Sequence, residues 1–508
     1  MLIWEKYRGI DPLDDIFAFF LTVGSPAMAA YSLQITQLNA RWITQAFADL
    51  DYLNSKTIPT AVSGLQHIPI RLSSNPVLLP SLIVLPKNGD YWRTLSRSTG
   101  KIRRCSVLLI VNFAWVMITA LLTIVDTFYR PIQGEIGYGI VASLAYLLPL
   151  MVGWLYVGSE PEPNHLRDSL EEASKLAWVA TEQGDEPVLA ESFIGQPQRA
   201  IEVVRRRHID LARKDESKTN PIYNYSRAFV WSQVAEVIYA SARNATTKLH
   251  RSPTVNEREA NATAEGRNWT AYEAIYYCEA EDTSFERFFR APRPIISPLP
   301  GFRRSHSTSA GLLPFFIPHS GLQEPSLWAT DIWKRVALAT GLALGLQWGT
   351  TGAGIFIYYE MHPVGLGCRT TALLIYGVLG TISFLLLLGS SILAHLSRPR
   401  PGSRHRYSRL RSFQEAGAAL SRWLGKALAA ISGFGVLVVS LIQPLGVFNN
   451  CWCSTTTLDR PTEFVEFTIG DYVKEWGVFG IWVSGLVMAF VTISLFGLSL
   501  YLGSPRKR

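Results

Sequence analysis

Seven stretches of this chain contain no Asp, Glu, Lys or Arg, and the shortest of them is 18 residues long. They are 16–33, 105–125, 136–157, 336–359, 371–396, 427–448 and 477–502. A helix rises about 1.5 Å per residue, so about 20 apolar residues cross about 30 Å of hydrocarbon. Inside lipid each backbone amide must be paired within its own segment, so these stretches are read as helices. The expected fold class is therefore all-α: a polytopic transmembrane helix bundle of about seven spans. Only 17% of the 508 residues are charged, against about 25% in soluble domains. That excludes a single soluble domain, a disordered chain and a small disulfide scaffold.

The first stretch differs from the rest. Gly24, Ser25 and Pro26 lie in its middle, and a proline removes one ladder bond. It is expected to be kinked, re-entrant or interfacial. If it crosses, the count is seven; if it does not, six spans remain and both chain ends lie inside. Acidic residues precede it and no cleavage pattern closes it, so it is not read as a secretory signal.

The charged segments between the stretches set the orientation. Residues 34–104 sum to +6, residues 397–426 to +7 and the tail 503–508 to +3, whereas 126–135 and 449–476 sum to −1 and −3. Basic segments stay on the cytoplasmic side. This places 97–104, 397–426 and the C-terminus inside. The expected location is integral to the plasma membrane or an endomembrane. Residues 158–335 fall on the same side by alternation. They carry four glycosylation sequons, at Asn224, Asn244, Asn261 and Asn268, which act only in a lumenal loop. The eight bases of 397–426 outweigh that short motif.

The expected organisation is an N-terminal membrane part over 1–157, a cytoplasmic helical insertion over 158–335, a four-span part over 336–502 and a basic tail over 503–508. Within the insertion, Leu166, Leu170, Ala173, Leu176 and Ala180 recur at helical spacing. Val230, Val234, Val237, Ile238, Ala245 and Leu249 do the same. The stretch 194–215 is read as a third helix. Residues 291–321, rich in Pro, Ser and Gly, are read as flexible. Arg303 and Arg304 beside Ser305 and Ser307 form a basic kinase-type site there.

Inside the membrane, Gly341, Gly345 and Gly349 recur every four residues and suit close helix packing. Gln347 does not belong against lipid and should face protein or water. Gln347, Trp348, Thr350, Thr351, Gln443 and Asn112 are the candidates for a polar core or ligand pocket, with single interhelical hydrogen bonds as the plainer account. Arg398, Arg400, Arg404, Arg406, Arg409 and Arg411 obey the orientation rule and are also candidates for holding anionic lipid headgroups. No stretch has a central ionisable group, which disfavours a proton-driven transporter. No nucleophile–base pair, phosphate loop, cofactor pattern or metal set stands out, and no nucleic acid is expected as a partner. Cys368, Cys451 and Cys453 all fall on the outward, oxidising side, so a disulfide from Cys368 to Cys451 or Cys453 is expected.

The strings SPAMAAYSLQITQLNARW (25–42), LQWGTTGAGIFIYY (346–359), VGLGCRTT (364–371), SSILAH (390–395) and NNCWCST (449–455) resemble a family of uncharacterised multi-pass membrane proteins of filamentous fungi. The resemblance implies a topology and lends no catalytic role to any residue. The function expected is non-enzymatic: a membrane scaffold, sensor or channel-like protein with a cytoplasmic partner. A facilitative transporter and a lipid-modifying membrane enzyme are the alternatives.

Overall fold

The structure is a computed structural model that describes residues 12–51, 54–73, 75–99, 138–157, 163–181, 186–192, 199–204, 211–218, 220–250, 269–280, 328–360, 365–398, 408–442, 447–448, 453 and 476–503. In chain order its helices are α1 (Pro12–Gly24), α2 (Pro26–Ala48), α3 (Ile58–Gly64), α4 (Leu78–Val84), α5 (Gly89–Thr99), α6 (Tyr138–Leu144), α7 (Leu147–Val157), α8 (Pro163–Lys175), α9 (Asn224–His250), α10 (Ala271–Cys278), α11 (Ile332–Glu360), α12 (Cys368–Leu396), α13 (Ser408–Ile442) and α14 (Trp476–Gly503). Four short strands, β1 (Ile70–Leu72), β2 (Trp178–Val179), β3 (Val188–Leu189) and β4 (Ile201–Val203), form two antiparallel pairs, β1–β4 and β2–β3. Two 3-10 turns, Leu211–Ser217 and Pro221–Tyr223, lead into α9. The protein is thus mostly helical, with all its described strands in two small ribbons.

Three described helices are long and apolar enough to cross a membrane: Cys368–Leu396, Arg409–Ile442 and Gly480–Gly503. A fourth appears if α1 and α2 count as one span, but they meet at an angle of 100°. The described residues therefore do not reach the expected seven. Residues 105–125 lie outside them. Within the stretch 136–157, the described residues 138–157 form two short helices, α6 and α7, broken between Leu144 and Leu147. The helix α11 has 29 residues, enough length to cross. However, Gln347, Thr350 and Thr351 lower its apolar content, and all three are buried.

Apolar side chains form two main cores. The first lies among the long helices and gathers Met28, Tyr31 and Leu33 of α2, Ala339, Ala343 and Leu346 of α11, Phe384 and Leu387 of α12, and Phe496 of α14. The second joins two distant parts of the chain. Ile58, Leu78, Ile83, Trp92 and Leu95 pack with Leu166, Leu170, Ile201, Trp231, Ile238 and Ile275. The β1–β4 pairing ties the same two parts, with Arg71 opposite Glu202. Residues 43–95 therefore share a core with 166–278. The sequence reading did not connect them, because three-residue strands carry no usable periodicity. It also read 194–215 as a helix, whereas Ile201–Val203 is a strand. The helix over Leu166, Leu170 and Ala173 forms but ends at Lys175, so Leu176 and Ala180 of the expected pattern lie beyond it, on either side of the strand β2. A capping box, Thr270 with Glu273, starts α10.

Two helices belong to both cores. The first turns of α2 lie in the bundle, while Ile43 and Phe47 lie in the second core. The helix α9 contributes Tyr225 and Phe229 to the bundle and Trp231 and Ile238 to the other core.

Candidate functional site

The α1–α2 break sits among buried residues of the bundle, so its backbone groups need partners there. Pro26 starts α2 and has no N–H. Ser25 does not cap α2; its hydroxyl donates to Gly380 O of α12 at 2.9 Å. The cap comes from another helix instead. The Ala27 N–H donates to Gln347 Oε1 at 2.9 Å. Gln347 Nε2 donates onward to Gly377 O at 2.8 Å and Thr381 Oγ1 at 2.9 Å. Trp348 Nε1 reaches the same Thr381 hydroxyl at 3.1 Å.

On the other side of the break, the Val23 carbonyl has lost its helical partner. Tyr376 OH donates to it at 2.6 Å and Tyr146 OH at 3.1 Å. Tyr146 belongs to the break between α6 and α7, so two helix breaks meet at one point. Glycine permits the approach. A Cβ on Gly24 would lie 1.8 Å from Ala429 O of α13, and one on Gly380 would lie 3.2 Å from Gly24 O.

Gln347 is thus a cap and cross-brace between α2, α11 and α12. Thr350 is turned back on its own helix, to Leu346 O at 2.8 Å, and the Thr351 hydroxyl finds no partner among the described residues. Trp348 is half-buried against Thr381. Asn112 and Gln443 lie outside the described residues. Gly349 packs on Thr492 of α14, while among the described residues nothing lies within 4 Å of a Cβ on Gly341 or Gly345. A four-residue repeat marks a small face without naming its neighbour. The neighbours of α11 came to lie on its other faces, where a Cβ on Gly354 would meet Ser143 Oγ and Gly139 O.

A second polar cluster joins the bundle to the turn Leu211–Ser217. Asp215 is buried and pairs with Lys426 Nζ of α13, with Arg422 Nε at 3.9 Å and the Tyr225 hydroxyl donating at 2.6 Å. Burial pushes the Asp215 carboxyl up. The two cations and the hydrogen bonds from Lys426 and Tyr225 outweigh that and hold it below the usual carboxylate range. Nearby, Arg398 pairs with Glu216 at 2.6 Å. Arg227 is buried and donates to the Gln66, Glu216 and Lys218 carbonyls. Desolvation lowers its guanidinium to about 10. A cavity of about 10 Å³, room for one water at most, touches Asp215, Tyr225, Ser391 and Arg422, far below the 300–1,000 Å³ range usual for a small-molecule site.

The basic segment divides. Arg398 and Arg411 are paired with Glu216 and Glu415, and Arg409 is exposed. Arg400, Arg404 and Arg406 lie outside the described residues. Cys368 is bonded to Cys453; Cys451 lies outside the described residues. Two sequon amides are in use inside the fold, Asn224 Nδ2 on Thr36 Oγ1 and Asn244 Nδ2 on Cys278 O. Sequence reasoning missed Asp215 because its partners come from a distant helix. The only signal was an acid in a stretch otherwise rich in bases.

No family model matches the chain, and neither a curated protein nor a solved structure matches it.

Proposed function

We propose that this is a non-enzymatic integral membrane protein of about seven spans that couples its helix bundle to a cytoplasmic domain built on α2 and α9. The C-terminus is cytoplasmic in this reading, and the resemblance to uncharacterised fungal multi-pass membrane proteins is retained as part of it. One observation carries the coupling: α2 begins at the capped break inside the bundle and ends in the second core. A shift at the break would move the far end of the same rigid helix. The basic segments meet anionic lipid headgroups in this reading, and the domain surface takes a cytoplasmic partner. The two occupied sequon amides favour the orientation drawn from charge.

Hydrogen exchange on the full chain tests the coupling. Gln347→Leu is expected to raise exchange along α2 and into residues 58–99. An increase confined to the bundle would contradict coupling. A second reading, a facilitative transporter, is favoured by the broken helix, since discontinuous helices frame substrate sites in many carriers. Its test is solute flux into proteoliposomes, with none expected under the first reading.

A further inference from the structure

A run of buried hydrogen bonds joins α2, the 3-10 turn Leu65–His67 and the start of α9, and its direction can be read from one end. Arg227 of α9 is buried, and a guanidinium only donates. Its Nη2 donates to Asn224 Oδ1 at 2.5 Å, which fixes the end of the Asn224 amide that faces it. The other end, Nδ2, carries two N–H groups. They reach Thr36 Oγ1 of α2 at 2.9 Å and His67 Nδ1 at 3.3 Å. Thr36 can accept because its own hydroxyl proton goes to Ser32 O at 2.6 Å. His67 Nδ1 is therefore an acceptor, and the buried ring is neutral, with its proton on Nε2.

A second proton on this ring has no acceptor. On Nδ1 it would face the Asn224 amide, donor against donor in a buried site. Turning that amide over only moves the conflict, because its N–H groups would then meet Arg227. Arg227 cannot swing away. Its Nε donates to Gln66 O at 3.1 Å, and its Nη1 donates to Glu216 O at 3.1 Å and Lys218 O at 2.5 Å. Arg227 is the charge bonded to Asn224, and Glu216, Asp215, Arg167 and Tyr225 act on Arg227 in turn. Asp215 is already engaged by Lys426 and Tyr225, and Glu216 by Arg398. The helix α3 and residues 32–39 of α2 bring no ionisable side chain. Arg71 of β1 faces Glu202.

We propose that His67 is a proton-operated latch between the bundle and the domain built on α2 and α9. Neutral, it holds the turn Leu65–His67 to the first turn of α9; protonated, it lets that contact go. Histidine is the side chain whose ordinary titration falls in the physiological range. The released form binds one more proton than the latched form, so release grows as pH falls, by at most about tenfold per pH unit. As regulation of the bundle by cytoplasmic acid, the latch rests on the coupling reading above.

The proton and the contact can be followed separately on the full chain in detergent. Histidine side chains labelled with carbon-13 are titrated by NMR between about pH 7.5 and 5. His67→Asn keeps an acceptor, does not titrate and identifies the His67 signal. Hydrogen-exchange protection, referenced to the unfolded chain at each pH, is read over residues 58–68 and 224–231. The His67 signal should titrate, and protection of both segments should fall with it about tenfold in the wild type and stay level in His67→Asn. A ring that stays neutral to about pH 5 overturns the latch. So does titration without loss of protection, and so does an equal loss in His67→Asn. Asn224→Asp is a second variant: its carboxylate accepts from a protonated ring, so protection should persist in acid, and a wild-type loss there also overturns the latch. Loss at the junction with none along residues 26–33 of α2 supports the latch and contradicts the coupling.

Discussion

The two polar clusters of the bundle solve one problem in different ways. Around Gln347 every group is neutral, and the Ala27 N–H and the Val23 carbonyl freed by a helix break find partners there. Around Asp215 the groups are charged and are enclosed by a turn brought in from another part of the chain. The contrast follows from cost. A neutral orphan group in apolar surroundings costs a few kcal/mol and one hydrogen bond offsets it. A buried charge costs far more and needs an opposite charge with its remaining valences filled.

Substitutions can break this contrast. The largest effect is expected at Asp215. Asp215→Ala leaves Lys426 buried without its carboxylate and should cost about 3–5 kcal/mol, read as thermal unfolding in detergent. A loss as small as that at an exposed ion pair would mean water already reaches the cluster. Gln347→Leu comes next, because the Ala27 N–H loses its acceptor in a buried site. About 1–3 kcal/mol is expected, and Gln347→Glu should cost at least as much at neutral pH, because its carboxylate would be buried against the Gly377 carbonyl.

Acid sharpens the same comparison. The Asp215 carboxyl is held below its ordinary 3.8 by Lys426 and Arg422. Its contribution is therefore present above 3.8 and lost as pH falls through the lower value in the folded state. The Asp215→Ala difference from wild type should shrink in that acid range, whereas the Gln347→Leu difference should persist. Glycine substitutions give the smallest effects and differ in sign. Gly349→Ala meets Thr492 and should destabilise by about 1–3 kcal/mol. Gly345→Ala meets nothing within 4 Å among the described residues and should stabilise by at most about 1 kcal/mol. Equal losses at both would restore the small-residue stripe as a packing face.

Much of the bundle was legible because hydrocarbon leaves few choices. Pro26 announced a break, and Gln347 announced a buried polar contact, since neither residue fits a helix surface in lipid. Their partners were not legible. The Ala27 N–H and the Gly377 carbonyl carry no side-chain signature, and every residue owns such groups. Asp215 was hidden for a different reason. Its meaning depends on Lys426, 211 positions away, and charge bookkeeping by segment sums such residues without pairing them. The second core was the least legible part, because a strand of three residues with one buried side chain, Ile70, resembles any loop.

The central claim is that residues 43–99 and 163–278 form one domain on one side of the membrane, carried on α2. Arg71 and Glu202 face each other across β1 and β4. Arg71→Cys and Glu202→Cys, treated with a short bismaleimide in sealed vesicles and cleaved in the intervening chain, should leave both fragments joined within one polypeptide. Fragments that separate although both cysteines have reacted would contradict the account.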